Sequence, residues 1–275
     1  MKEQIKTTFP YDAVIADSGR KLFLCEGGKV RSVPTVGCAF SVFARKDGTI
    51  CYSSISDGTT SGLVLCDRAG NTLARYRTEN EVFGVHELPQ GGYLVGELTG
   101  KCVTRLDASL QVVSRFPVKY CADNLHEVMR GVYPARDGNV FVVQPGDRMI
   151  RKYDDKGTVL AEIPTGPDTF GMEEKENGNI LYTQHTALCE IDPGGRELWR
   201  VDAADIRPAG LCWALNFRTL PNGHILLVNW LGHGCEGQGF PVIELDESHA
   251  LYALYPISED AADIADLDLL PRVDG

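Results

Sequence analysis

The sequence lacks any long hydrophobic run, any tract of low complexity and any excess of basic residues. A membrane-spanning helix needs about 18 consecutive apolar residues, and no such run occurs. The 38 acidic residues outnumber the 27 Lys and Arg and leave a formal charge of −11, which disfavours binding to a nucleic-acid backbone. Because 43% of the 275 residues are apolar, the chain can bury a sizeable core. The composition therefore predicts a soluble globular protein with neither a membrane nor a nucleic acid as its partner.

Paired cysteine motifs are also missing. The nine cysteines are odd in number, and none stands in a C-x-x-C pair. Most, such as Cys25, Cys66 and Cys102, lie in apolar runs, where a free thiol behaves as a small hydrophobic side chain. The opening MKEQIKTTFP has neither the apolar segment nor the cleavage site of a signal peptide, although a leader removed beforehand would leave the same pattern. We expect a reducing compartment, the cytoplasm.

What the sequence does contain is an internal repeat. A turn signal followed by a β-rich run recurs five times, and its glycines are 43, 47, 40 and 45 residues apart. The five signals are Asp47-Gly48, Gln90-Gly91, Asp137-Gly138, Asn177-Gly178 and Asn222-Gly223. A second turn follows each one at Asp67, Asp107, Asp154, Asp192 and Asp246. Asn-Gly and Asp-Gly between β-rich runs are strong hairpin signals, and units of about 40 to 47 residues with four strands are the blades of a β-propeller.

A sixth blade can be assembled from the two ends of the chain. Residues 13–36 contain three strands but no first strand, and residues 264–275 supply one. Pairing the termini closes a propeller and removes the open edges of its sheets. We therefore predict one all-β domain over residues 1–275, a six-bladed β-propeller of four-stranded antiparallel blades, closed by pairing of the C-terminal strand with the N-terminal strands. The predicted blades are 13–36 with 264–275, 39–79, 80–120, 125–166, 167–204 and 212–256.

The aligned repeats indicate where a site lies. We name the four strands of a blade A to D from the axis outwards. A polar residue ends strand B in every repeat, at Asp17, Ser54, Glu97, Gln144, Gln184 and Asn229. The long and variable loops, those from B to C and from D to the next A, lie at that same end of each blade. The sequence therefore predicts a binding site in the axial funnel there, although strand-end polar residues also often satisfy neighbouring backbone groups.

Candidate catalytic residues follow from this placement, since motifs of other catalytic sites, such as G-x-S-x-G, H-E-x-x-H and the P-loop, are absent. The candidates for acid–base chemistry at the funnel are His86, Glu97, His185 and His233. The candidates for ligand binding are Asp17, Ser54, Gln144, Gln184, Asn229, Trp230, Tyr133, Arg218 and His126. A structural role is the alternative for each histidine, and loop packing is the alternative for Trp230. A zinc or manganese site from the catalytic candidates is conceivable, but neither a metal nor a cofactor can be assigned.

Two repeat motifs resemble a known group of propellers. The segments LPNGHILLVNW and CEIDPGGRELWRVD are similar to repeats of the PQQ-like and arylsulfotransferase-like propellers. The resemblance lies in blade-forming positions, so it implies the fold. It implies no activity, because no cofactor-binding or catalytic residue of that group matches a residue here. The lactonases resembling SMP-30 are also six-bladed propellers, but their metal ligands have no counterpart in this sequence either.

Two functions remain open at this stage. The first is a carbohydrate-active enzyme, a lyase, hydrolase or epimerase, since polyols need directional hydrogen bonds and a flat apolar face. The second is a propeller that binds a ligand or a protein without catalysis, because one fold hosts many functions. For an enzyme or a ligand-binding propeller, we expect the partner to be a small molecule, with a sugar as the leading candidate. For an interaction propeller, the partner would be a protein.

Overall fold

In the computed structural model, which describes residues 4–55, 60–261 and 263–271, the chain forms six four-stranded antiparallel sheets. The first three sheets contain β1 (Ala13–Asp17), β2 (Lys21–Glu26), β3 (Lys29–Pro34), β4 (Val42–Ala44), β5 (Ile50–Ser54), β6 (Ser61–Cys66), β7 (Thr72–Thr78), β8 (Val82–Glu87), β9 (Tyr93–Glu97), β10 (Cys102–Leu106) and β11 (Val112–Pro117). The other three contain β12 (Gly131–Pro134), β13 (Val140–Gln144), β14 (Met149–Tyr153), β15 (Val159–Pro164), β16 (Thr169–Glu174), β17 (Ile180–Gln184), β18 (Ala187–Ile191), β19 (Glu197–Asp202), β20 (Trp213–Thr219), β21 (Ile225–Trp230), β22 (Val242–Leu245) and β23 (Leu251–Tyr255). A final strand, β24 (Ile264–Leu269), joins the first sheet, in the order β24-β1-β2-β3. The predicted all-β six-bladed propeller is confirmed.

Helix is confined to the loops in the described part of the chain. Three single 3-10 turns occur, at Leu125–Glu127, Pro145–Asp147 and Arg207–Ala209. All three lie at the end of the blades where strands B and D finish. No helix among the described residues is long and apolar enough to cross a membrane.

The core lies between the blades rather than within them. Second strands such as β9 and β13 are buried along their whole length, whereas the outermost strand β15 alternates between half-buried and exposed residues. This difference arises because an inner strand faces a neighbouring blade on each side, while an outer strand faces solvent on one. Among the described residues, each of the six buried apolar clusters combines side chains of two adjacent blades. Each blade therefore depends on both of its neighbours.

The C-terminal strand closes the ring. β24 pairs antiparallel with β1, with Ala13 opposite Leu269 and Ile15 opposite Leu267. One of the six apolar clusters lies across this junction and packs Leu267 with residues of the sixth blade. The predicted closure by the terminal strand is confirmed, while residues 272–275 of the predicted segment 264–275 lie outside the described residues.

Two acids of the closing strand bind the neighbouring blade. The carboxylate of Asp266 accepts a hydrogen bond from Val42 N at 2.9 Å, and that of Asp268 accepts one from Ala44 N at 2.8 Å. On the other side, Arg218 of β20 donates from Nε to Asp268 at 2.9 Å. These contacts satisfy backbone N–H groups at the inner edge of β4 that would otherwise be unpaired. Burial raises the pKa of Asp266 to about 6, even though the positive charge of Arg218 acts in the opposite direction.

Removal of the closing strand tests the closure. Deleting residues 264–275 exposes one apolar cluster and the edge of β1, so we expect the melting temperature to fall by at least about 10 °C or folding to fail. Deleting 272–275 alone leaves β24 whole and serves as the control, which should melt within a few degrees of the full chain. Calorimetric melting that is the same for all three chains contradicts the closure.

The pKa of Asp266 predicts a pH dependence of stability. Because its folded pKa of about 6 lies above the usual 3.8, its contribution is fully present below about pH 4 and is lost as the pH rises through 6. The neutral Asp266→Asn variant lacks this loss. We expect the unfolding free energy of the wild type, relative to the variant, to fall by about 2 kcal/mol between pH 4 and pH 7. Parallel urea-unfolding profiles over that range contradict the assignment.

Candidate functional site

The axial funnel holds a cavity of about 600 Å³ at the end of the ring that the sequence predicts. That volume suits a small-molecule ligand. Its walls come from the first residues of the innermost strands and from the loops at the same end. The lining residues are Ser18, Phe40, Ser41, Phe83, Gly84, His86, Asn124, His126, Glu127, Arg130, Gly131, Val132, Tyr133, Pro145, Asp168, Phe170, Trp213, Leu215, Asn216, Trp230, Gly232, His233, Glu236, Asp263 and Ala265.

β-Bulges turn large side chains toward this cavity. The pairing of the innermost strand shifts by one residue around Phe83, Phe170 and Leu215, where one extra residue enters each strand. A bulge bends its strand and redirects a side chain. The pairing also shifts at Ala265 of β24, and the equivalent positions in the other two blades are Phe40 and Arg130. This column is therefore the first layer of side chains above the crowded axis.

Close backbone contact explains the small residues below that layer. A Cβ atom on Gly84 would lie 2.8 Å from the backbone nitrogen of Val132 in the next blade. No side chain fits at such a distance, so Gly84 allows the two innermost strands to approach. The backbones of β8 and β12 are therefore in contact at this depth, and Gly84, Gly131, His86 and Tyr133 all line the cavity.

A histidine–aspartate pair stands at the mouth of the cavity. His185 Nδ1 lies 2.8 Å from Asp168 Oδ2. The backbone also holds His185, because His185 N donates to Asp168 O at 2.9 Å and Ala214 N donates to His185 O at 2.6 Å. The imidazole packs against Trp213 with 4.3 Å between ring centroids. Its orientation is therefore fixed from two neighbouring blades, while 43% of its side chain stays exposed.

Both members of this pair have an unfavourable backbone conformation. The φ angle is +37° at His185 and +55° at Asp168, in the region that favours glycine. His185 is the first residue of the two-residue turn between β17 and β18, where glycine is common. Such strain persists only where surrounding contacts hold it, and it is found frequently at functional sites.

Two tryptophans extend the wall next to this pair. Trp213 and Trp230 lie edge to face with 6.2 Å between centroids, and His233 lies edge-on to Trp230 at 4.6 Å. The indole N–H of Trp230 is buried and has no hydrogen-bond partner in the described part of the chain. His233 also has a positive φ, of +54°. This wall offers flat apolar faces and one unused donor.

His86 lies deeper, near the axis. Its ring is 4.8 Å from that of Tyr133. Burial lowers the pKa of His86 to about 3, and the nearby charge of Arg218 acts in the same direction. His86 is therefore neutral at pH 7 and can donate or accept one hydrogen bond at each nitrogen. His126, on the first 3-10 turn, lies at the rim with its ring 6.1 Å from Phe83.

The structure brings part of the predicted set together. His86, His126, Tyr133, Trp230 and His233 line the cavity. His185 contacts the lining residues Asp168 and Trp213.

Glu97 lies outside the cavity in a buried hydrogen-bond network. Its carboxylate accepts hydrogen bonds from Tyr76, Thr78, Asn80, Thr104 and Arg115. Burial alone would raise the pKa of Glu97, but the bonds from Thr104, Asn80 and Tyr76 and the charge of Arg115 bring it below its usual value. The network joins three strands of the third blade, so the observed contacts of Glu97 are structural.

Other strand-end residues hold the loops around the funnel. Asn229 accepts hydrogen bonds from Cys212 N and Trp213 N, at 2.8 and 3.2 Å. Gln144 donates to the carbonyls of Lys119 and Val128. In these contacts the strand-end side chains satisfy backbone N–H and C=O groups, which is the structural role expected from the sequence as the alternative to ligand binding.

The remaining predicted ligand-binding residues also have partners away from the cavity. Ser54 donates to Val36 O, and Asp17 accepts from Gly19 N at 2.7 Å. Gln184 accepts from Arg200 at 3.4 Å. Arg218 belongs to the ion pairs of the closing strand. Among the residues that the structure describes, no group of three or more His, Cys, Asp or Glu is placed to hold a metal ion.

Sequence reasoning missed the bulged column and Asp168. The column directly precedes the small or polar residues at the axis and contains Phe40, Phe83 and Phe170, so the repeat alignment held a signal for it. Asp168 lies 17 residues before His185, and its pairing with the imidazole depends on how the loops fold.

Comparison with known proteins shows the fold and nothing finer. No protein-family model and no curated protein sequence matches the chain. A protein of unknown function from Bacteroides caccae has a TM-score of 0.83 and 19% identity, over 94% of this chain and 98% of its own. A catalytically inactive virginiamycin B lyase from Staphylococcus aureus, solved with quinupristin, has a TM-score of 0.61 and 13% identity, over 96% and 88%. The WD40 β-propeller domain of Doa1 has a TM-score of 0.52 and 12% identity, over 81% and 91%.

The network around Glu97 predicts loss of stability on substitution. Glu97→Gln replaces one acceptor oxygen by an amide that faces other donors, so we expect a loss of about 2 to 4 kcal/mol in the free energy of unfolding. Glu247→Gln, at an exposed site in the turn between β22 and β23, is the matched control and should stay within about 0.5 kcal/mol of the wild type. Equal urea midpoints for the two variants contradict the structural role.

Proposed function

We propose that the protein is an enzyme that acts on a carbohydrate-sized molecule in the axial cavity, with His185 and Asp168 as its proton-transfer pair. The observation that carries this proposal is the hydrogen-bonded pair at the cavity mouth, 2.8 Å between Nδ1 and Oδ2, with both residues at positive φ. Backbone hydrogen bonds and Trp213 fix the orientation of the imidazole.

The chemistry follows from the orientation of the imidazole. When the carboxylate of Asp168 accepts the proton of Nδ1, the other nitrogen, Nε2, is left with a lone pair that can take a proton from a substrate. The carboxylate also stabilises the imidazolium that results. Lyases, hydrolases and epimerases all use a general base of this kind. The pair therefore supports acid–base catalysis in general and does not distinguish between these three reactions.

The surroundings support a carbohydrate as the ligand. Trp213 and Trp230 provide flat apolar faces on one wall, and aromatic faces pack against the C–H faces of sugars. The carboxylates of Glu127, Glu236 and Asp263 line the same cavity and can accept hydrogen bonds from hydroxyl groups. A lyase among the proteins that share this fold makes elimination one of the reactions to test.

We also propose a family relationship and a location in the cell. A relationship to the PQQ-like and arylsulfotransferase-like propellers rests on the two repeat motifs alone. A cytoplasmic location is supported by the nine cysteines, which are free thiols.

A propeller that binds its ligand without catalysis is the second candidate. His86, His126 and His233 each pack against an aromatic ring, and such packing needs no proton transfer. Under this alternative His185 contributes to binding alone.

Substitution of His185 separates the two candidates. A thermal-shift screen of sugars and sugar acids identifies ligands, and turnover of each is then measured. We expect His185→Gln to lower kcat by at least about 100-fold with KM changed only a few-fold, and Asp168→Asn to lower it less. His249→Gln is the matched control, because His249 stacks on Trp199 at the opposite end of the blades, 3.7 Å between centroids. Ligand binding without turnover by the wild type, or unchanged kcat in His185→Gln, contradicts the enzymatic proposal.

A further inference from the structure

Arg130 occupies a position that holds an apolar residue in the other blades. It directly precedes β12, where the neighbouring blades have Phe83 and Phe170, and its backbone N donates to Val143 O at 2.9 Å. Its side chain lines the axial cavity. A single cation is thus placed in a layer of otherwise apolar side chains.

The two phenylalanines flank the guanidinium. Its central carbon lies 4.8 Å from the ring centroid of Phe83 and 5.7 Å from that of Phe170. Aromatic faces attract a guanidinium and contact its flat surface. The hydrogen-bonding groups of a guanidinium lie along its edge, so this contact leaves them available to a ligand.

Arg130 has no acidic partner within the described residues. No hydrogen bond or ion pair is formed by its side chain, and its Nε is buried. The more deeply buried Arg151, in contrast, pairs with Asp147 and with Glu162. A guanidinium without an acceptor is costly where water is excluded, and an anionic ligand group in the cavity would supply the acceptor to its edge.

The charge of the cavity limits which anion fits. Four carboxylates, of Glu127, Asp168, Glu236 and Asp263, share the lining with this one arginine. A doubly charged phosphate would be repelled by them, whereas a single carboxylate matches one guanidinium and can bind it through two parallel hydrogen bonds. Asp168 is paired with His185, while Glu127, Glu236 and Asp263 can accept hydrogen bonds from hydroxyl groups on the rest of the ligand.

We propose that Arg130, flanked by Phe83 and Phe170, is a carboxylate-binding subsite and that the ligand of the cavity is a sugar acid with one carboxylate. The sugar part rests on the proposed function, while the carboxylate part rests on Arg130 alone.

Calorimetric titration at pH 7 tests the subsite without reference to turnover. The probes are D-glucuronate, D-galacturonate, the neutral methyl ester of D-glucuronate and glucose 6-phosphate. We expect the wild type to bind at least one of the two uronates about 10- to 100-fold more tightly than the ester, the effect of hydrogen bonds to a charged group. Glucose 6-phosphate should bind more weakly than that uronate.

Variants assign the effect to the arginine. Arg130→Gln should reduce the affinity for the uronate to that for the ester, and Arg130→Lys should retain part of the difference. Arg196→Gln is the matched control, since the Arg196 side chain is 78% exposed and pairs with Asp192 in an outer turn. It should behave as the wild type does.

Several results would overturn the proposal. They are equal binding of acid and ester by the wild type, tighter binding of glucose 6-phosphate, a preference that survives in Arg130→Gln, and no binding of any probe. The comparison of acid with ester needs only the wild type, so it holds even where a variant fails to fold. If uronates bind through Arg130 but are not turned over, the subsite proposal stands and the enzymatic proposal is contradicted. If neutral sugars are turned over in a reaction that depends on His185, the enzymatic proposal stands and the subsite proposal is contradicted.

Discussion

Closure of the ring is the constraint on which the rest of this structure depends. Every apolar cluster in the described chain is shared by two blades, so no blade can bury its faces until both neighbours are present. The first sheet is complete only when β24 pairs with β1, and Asp266 and Asp268 of that strand bind the backbone of the next blade. The stability of the whole molecule is therefore linked to a short segment near its C-terminus.

The same constraint creates the cavity. Six innermost strands converge on one axis, and at Gly84 the backbones of two of them, β8 and β12, meet with no room for a side chain. Bulges just above that depth admit one extra residue in several of these strands and turn its side chain over the axis. The ring fixes where these side chains lie, but their chemistry is free to vary from blade to blade. Arg130 among phenylalanines is such a variation.

The sequence predicts the fold well because its signals are local. Asn-Gly and Asp-Gly turns recur at the blade period, and the two chain ends complement each other as parts of one blade. The site was only partly predictable. Strand-end residues such as Glu97 and Asn229 accept hydrogen bonds from Thr104 and from the backbone of Trp213. Such partners come near only in the folded chain, so the sequence does not reveal them. The column that contains Phe83 and Arg130 was missed because side chains of a regular strand alternate between its two faces. A bulge shifts that alternation by one residue, and the sequence pattern does not show where a bulge occurs.

The proposed site combines His185 and Asp168, an aromatic wall, and an arginine that has no acidic partner among the described residues. These groups can act together only if a single ligand reaches all of them. The most direct measurement is a crystal structure of the protein with D-glucuronate. We predict that the carboxylate lies on the edge of the Arg130 guanidinium and that a ring carbon or hydroxyl lies within about 3.5 Å of His185 Nε2. A sugar bound outside the funnel, or one in the cavity with its carboxylate away from Arg130, would contradict this account.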